Sequence, residues 1–202
     1  MSLDTYANLK LSVASWIHRS DLTSQMDDFI TLAEEMIWKD LRVTEMEDDD
    51  AVTLSTSSRY AALPTGLLEV KRVYLTTAPI HHLKSLSTSQ IVTEYNATAG
   101  RPNYFAVLGS QLEFERTPDS AYSAQVHYFK KLTGLSGSNT TNDILTNYPS
   151  VYLYSVCLCA AIFMEDDARI TKYTALYNAS VQEANSQTMK RRFGAGLAVR
   201  AA

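Results

Sequence analysis

GRPNYFAVLGSQLEFERTPDSAYSAQVHYFKK, residues 100–131, followed after a polar stretch by TNDILTNYPSVYLYSVCLCAAIFMEDD, residues 141–167, is the part of this sequence that decides the fold. In the first segment Tyr104–Leu108 and Gln111–Arg116 are strand-like runs separated by Gly109 and Ser110, a two-residue spacing suited to a type II′ hairpin turn. Tyr122, Ala124, Val126 and Tyr128 then alternate with Ser123, Gln125 and His127, which predicts a third strand with one apolar face. In the second segment Pro149 sits well at the first turn of a helix that runs through Met164. That helix is apolar nearly all the way round, the pattern of an element buried in the middle of a domain.

Working outward, Asp4 or Thr5 can cap a helix carrying Leu9, Val13, Trp16 and Ile17 and ending near Arg19. Asp21–Ser24 offers a second capping cluster before a helix to about Arg42, with a stripe of Met26, Phe29, Ile30, Ala33, Ile37 and Leu41. So short a connection predicts a helix hairpin. Short strands are expected around Val52–Leu54, Tyr60–Leu63 and Leu68–Leu75, and a short helix near Thr88–Tyr95. A last helix is capped by Asp166 or Asp167, carries Ile170, Tyr173, Tyr177, Val181 and Ala184, and loses regularity at Gly194 and Gly196. The expected fold class is therefore α+β: an antiparallel helical bundle built from both chain ends, with a β-rich insertion and an extended C-terminal tail. The expected divisions are N-terminal helices over 1–43, the β-rich insertion over 44–133, a loop over 134–148, C-terminal helices over 149–190 and the tail over 191–202.

The chain has 202 residues, enough to bury a core without staples, and its 46% hydrophobic and 20% charged residues argue against both wholesale disorder and a membrane protein. The run Val151–Met164 is too short to span a bilayer, and MSLDTYANLK lacks the features of a secretory signal, so neither membrane insertion nor export is expected. A net charge of −4 argues against nucleic-acid binding by the whole surface. Its distribution is uneven. Glu45, Glu47, Asp48, Asp49 and Asp50 crowd one segment without a base, while Lys190, Arg191, Arg192 and Arg200 lie in a stretch without an acid.

No constellation for catalysis, cofactor binding or metal ligation emerges. Cys157 and Cys159 lie two apart on a predicted helix, on nearly opposite faces, and read as small buried residues of a reducing compartment. His81 and His82 are adjacent on a strand-like segment and point apart, so they do not form a ligand pair. His18 and His127 have no ligand-forming neighbours at suitable spacing. Gly134-Leu135-Ser136-Gly137-Ser138 carries serine where a nucleophile elbow needs its second glycine, and the acidic run lacks the glycine and terminal glutamate of a calcium loop. The expectation is a protein without enzymatic activity, cofactor or metal. Twelve tyrosines, among them Tyr148, Tyr152, Tyr154, Tyr173 and Tyr177, suit a core with some contribution at interfaces.

The wording of the chain resembles the head-to-tail adaptor proteins of tailed bacteriophages, also called connector, tubular tail or tail accessory proteins. The phrases that carry the resemblance begin with Trp16-Ile17-His18-Arg19-Ser20-Asp21-Leu22-Thr23, Phe29-Ile30-Thr31-Leu32-Ala33-Glu34, and Leu63-Pro64 before Leu67-Leu68-Glu69-Val70. They continue with Gly100-Arg101-Pro102, Tyr104–Gly109, Pro118-Asp119, Asn147-Tyr148-Pro149 leading into Tyr152-Leu153-Tyr154, and Glu165-Asp166-Asp167. The resemblance implies a structural virion protein at the head–tail junction, assembled in the bacterial host cytoplasm. It would form a ring, commonly twelvefold, that docks beneath the portal protein, continues the DNA ejection channel without sequence-specific binding, and presents a platform to a downstream tail or nozzle protein.

In such proteins the C-terminal segment reaches to the portal or to neighbouring subunits, which marks Lys190, Arg191, Arg192, Phe193 and Arg200 as the expected partner-binding residues. The acidic run Glu45, Glu47, Asp48, Asp49 and Asp50 has no clear place in the family pattern. Separated acidic and basic segments suit the heterologous contacts of a ring, which makes the run a candidate inter-subunit patch. The alternative is a DNA-binding packaging component such as a small terminase subunit, with the same C-terminal bases on phosphates.

Overall fold

A computed structural model describes residues 3–193, which divide into two compact units: residues 3–45 with 132–193, and Met46–Lys131. The described residues hold six α-helices and seven strands.

The first unit is organised around one helix. α1 spans Tyr6–Ile17, begins where Thr5 Oγ1 accepts the Asn8 amide at 3.3 Å, and ends as His18 turns left-handed at φ 53°. α2 spans Met26–Asp40. The expected capping cluster does not cap it: Gln25 precedes the helix with no side-chain cap, and Asp21 is paired with Arg19 at 2.6 Å. A short α4, Asp143–Asn147, occupies part of the stretch expected to be a loop, with Asn142 Oδ1 accepting the Leu145 amide at 2.9 Å. α5, Pro149–Phe163, starts with proline in its first turn and is buried almost continuously from Val151 to Ala161. The Ser155 hydroxyl within that stretch is satisfied, because Ser155 Oγ donates to Tyr152 O at 3.0 Å. α6 spans Asp167–Phe193, and Asp166 Oδ1 accepts the Arg169 amide at its start.

α1, α2, α4 and α6 all pack on α5, and α1 and α2 lie against α5 more than against each other. The expected antiparallel bundle built from both chain ends, with its opening helix hairpin, is therefore corrected: the fold consists of helices gathered on a single buried helix, together with a seven-stranded curled mixed sheet. Helices of 5 to 27 residues whose apolar stripes converge on one all-apolar element have no equal neighbours to pair with in a bundle. The expected extended tail from residue 191 is helical as far as Phe193, and the rest of it lies outside the described residues.

The second unit is the sheet. Its strands are β1 Glu47–Thr53, β2 Tyr60–Ala62, β3 Leu67–Leu75, β4 His81–Ser85, β5 Tyr104–Leu108, β6 Gln111–Phe114 and β7 Ser123–Lys130. The order across the sheet is β1-β7-β3-β4-β5-β6-β2, antiparallel except for the β4–β5 pair. That parallel step is crossed through α3, Thr88–Thr93, which opens with a capping box between Ser87 and Gln90. The two outermost strands, β1 and β2, touch, so the sheet curls into a half-barrel. Its filling includes Val73, Leu75, Phe105, Leu112, Phe114, Ala124, Val126 and Tyr128, with the inward residues of β7 following the expected alternation. Leu108 pairs with Gln111 across a two-residue turn in which Gly109 takes φ 59°, a conformation open to glycine at little cost.

Candidate functional site

The acidic run is a strand edge. β1 begins within it at Glu47, forms one end of the sheet, and pairs only with β7. Each carboxylate has an internal partner: Glu47 meets Lys71 at 2.9 Å, Asp48 meets Lys130 at 2.8 Å, Asp49 accepts from Gln125 Nε2, and Asp50 accepts from the Tyr128 hydroxyl at 2.6 Å. The hydrogen bond and charge of Lys130 hold the Asp48 carboxyl below its usual range. Asp48 Oδ1 also accepts the Asp49 amide at 3.0 Å. Burial, then the bond to Asp50, pushes the Tyr128 phenol well above its ordinary value. Carboxylates along an edge, one of them occupying a main-chain donor, keep an incoming strand from pairing there.

Glu45 behaves differently. It belongs to the helical unit, where Oε1 accepts from Arg191 Nη1 at 2.7 Å and Oε2 from the Tyr148 hydroxyl at 3.1 Å. Burial raises the Glu45 carboxyl, but its own amide, Arg191 and Tyr148 outweigh that effect and hold it below the usual range. One acid and one base that are 146 residues apart in sequence are thus already joined within a subunit. Lys190 and Arg192 lie beside Arg191 in the exposed last turn of α6; Phe193 closes the helix, and Arg200 lies outside the described residues.

Three further carboxylates carry structure where charge patterning alone reads surface. Glu34, 4% exposed, accepts from the Leu135 amide at 2.6 Å and the Tyr152 hydroxyl at 3.1 Å, and Asn142 donates to that hydroxyl at 2.7 Å. Glu115, 1% exposed, accepts the amides of Asn103 at 2.8 Å and Tyr104 at 3.0 Å, which fixes the segment after Gly100-Arg101-Pro102 at the start of β5. Glu113 meets Arg59 at 2.6 Å, and the Arg59 guanidinium also lies over the rings of Tyr60 and Tyr95. The signal that could have revealed Glu113 and Glu115 is their place in LEFERTP, where both interrupt an apolar run at strand spacing.

His82 packs against the Tyr74 ring at 5.5 Å, while His81 Nε2 lies 3.0 Å from Asn103 Oδ1, so the adjacent histidines have separate surroundings. His127 stacks on the other side of Tyr74 at 5.6 Å. Cys157 and Cys159 are buried, and burial pushes their thiols up to about 12 and about 11. Among the described residues no three His, Cys, Asp or Glu side chains are grouped to hold a metal ion, and no helix is long and apolar enough to cross a membrane. The helical unit exposes Leu11, Leu32, Ile162 and Phe163 by half or more, large apolar side chains of the kind that protein contacts cover. The arrangement offers braced frameworks, a protected strand edge and contact surfaces.

No curated protein is a significant match to the chain. The family model described as SU10 adaptor protein matches residues 4–200.

Proposed function

The chain belongs to the SU10 adaptor protein family, a family of phage adaptors, and from that membership we propose that it forms a ring joining the capsid portal to the tail. The ring is twelvefold, continues the channel through which DNA leaves the head, and gives a downstream tail or nozzle protein its platform. The protein is a non-catalytic component of the virion, placed at the head–tail junction after assembly in the host cytoplasm. The match over residues 4–200 carries this reading, since it takes in both units and most of the C-terminal segment.

Physical chemistry supports the parts. A ring closes through heterologous contacts, and the exposed apolar side chains of α1, α2 and α5 supply area for them. A net charge of −4 lets DNA pass without being held by its phosphates. The segment Lys190–Ala202, with Lys190, Arg191, Arg192, Phe193 and Arg200, meets the portal or a neighbouring subunit. The carboxylates of Glu45, Glu47, Asp48, Asp49 and Asp50 contribute to the contact between subunits.

Mass measurement of the purified chain, alone and mixed with the portal of the same virion, tests the proposal. A ring of twelve 22.5 kDa chains, or one bound to the portal, is the expected species. Monomers in both samples would refute the ring. A chain lacking Lys190–Ala202 should stay folded and lose portal binding; unchanged binding would remove the tail from the contact.

A further inference from the structure

Beyond Thr188, the side chains from Met189 to Arg192 are all exposed, so apolar burial does not hold the last turn of α6. The helix is fastened by polar contacts along its length. The Tyr177 hydroxyl donates to Asp40 Oδ2 at 2.9 Å, Asn185 Oδ1 accepts the Arg42 amide at 2.8 Å, and Arg191 Nη1 donates to Glu45 Oε1 at 2.7 Å. The last pair is unequal. The Glu45 side chain is 16% exposed and is aligned by the Tyr148 hydroxyl, whereas Arg191 is 56% exposed and can swing away into solvent. Glu45 is therefore the fixed half of the pair and Arg191 the movable one, and Arg191 lies near the start of the segment assigned above to the partner.

We infer that the Glu45–Arg191 pair is a latch: it holds the C-terminal turn of α6 on the helical unit of the unassembled subunit and opens when the portal takes up the segment. This inference rests on the proposed role of the C-terminal segment. A partly exposed ion pair is the right strength for such a device, since it biases the closed state about two- to fivefold and does not lock it.

Amide hydrogen exchange on the full-length chain reads the closed state directly. Glu45→Gln keeps an oxygen for Tyr148 and removes the charge. It should speed exchange of the amides at 189–193 about two- to fivefold, leave those of α5 unchanged, and speed portal association by a similar factor. The double exchange Glu45→Lys with Arg191→Glu should restore both rates. Unchanged exchange at 189–193 in Glu45→Gln overturns the latch, and so does faster exchange with unchanged or slower portal association, the outcome for a pair that only stabilises the helix end. Failure of the tail role would show separately, as portal binding that survives deletion of Lys190–Ala202.

Discussion

The Tyr152 hydroxyl donates to Glu34 Oε1 across 3.1 Å, a hydrogen bond between α5 and α2 at a point where Glu34 is 4% exposed. The same oxygen accepts the Leu135 amide, so one carboxylate ties together two helices and the connection ahead of α4. Glu34→Ala should lower unfolding free energy by about 2–4 kcal/mol, because it strands a buried amide and a buried hydroxyl. Tyr152→Phe, which removes this donor together with the acceptor of Asn142 Nδ2, should cost about 1–2 kcal/mol. Gly134 lies against the same group: a Cβ there would come within 2.6 Å of Glu34 Oε2. The other oxygen is held by two donors, so the carboxylate cannot move aside freely, and Gly134→Ala should cost about 1–3 kcal/mol. Urea unfolding of the three variants checks the order; a Gly134→Ala protein as stable as the parent would show that the carboxylate gives way.

Glu115 does for the sheet what Glu34 does for the helices. Its two oxygens take the amides of Asn103 and Tyr104, and Arg116 Nε approaches Oε1 at 3.2 Å. Glu115→Ala should destabilise by about 2–4 kcal/mol by leaving both amides without acceptors, and Glu115→Gln by less, since one acceptor oxygen remains. The measurement is denaturant unfolding followed by circular dichroism together with exchange at Asn103 and Tyr104. Exchange there that is no faster in Glu115→Ala would show that the amides find other partners.

These two carboxylates also mark the limit of sequence reading. Pro149 followed by an all-apolar run, the alternation along β7 and the Gly109-Ser110 turn are local signals, and α5, β7 and the β5–β6 hairpin stand where those signals put them. Apolar stripes on α1, α2 and α6 reveal which face is buried but not what it is buried against, and that is why a bundle is expected where one helix receives the other four of its unit. Aspartate is rare in strands, so the sequence places the first strand only around Val52–Leu54, although Glu47–Asp50 already belongs to β1. α4 is a single capped turn and a bit, too short for periodicity to register. A glutamate reads as surface, and only the fold brings main-chain donors to Glu34 and Glu115. At the residues proposed to bind a partner, the sequence displays the separate acidic and basic segments but not that Glu45 and Arg191 already meet.

The strand edge supplies a third prediction. Asp48 and Asp50 sit on β1 opposite Tyr128 and Val126, and among the described residues no strand is hydrogen-bonded to the outer side of β1. Asp48→Val with Asp50→Val leaves an apolar, uncharged edge with the Asp49 amide free to pair, and should produce concentration-dependent association with added β-sheet signal. Asp48→Asn, which keeps an acceptor for that amide, should associate far less. Static light scattering across a concentration series distinguishes them, and a double variant that scatters like the parent would show that the carboxylates do not guard the edge.

Alkali should expose the buried phenols. Burial, then Glu34, raises Tyr152; burial, then Asp40, raises Tyr177; burial, then the bond to Asp27, pushes Tyr6 up to about 12. The ordinary phenol titrates near 10, so the folded values lie above the unfolded one. Below pH 10 both states carry the proton and the contribution to stability is complete. Above it the unfolded chain releases protons that the folded chain retains, so stability falls as pH rises, by about 1.4 kcal/mol per pH unit for each phenol held neutral. Phenolate absorbance from Tyr152 and Tyr177 should therefore appear only together with loss of the helical signal. Tyr152→Phe and Tyr177→Phe should each reduce the slope of stability against pH by about one phenol's share, even though both remove a hydrogen bond and start from a lower stability. All twelve tyrosines titrating in one step near pH 10 with helix content intact would show that the phenols at 152 and 177 reach water in the folded protein.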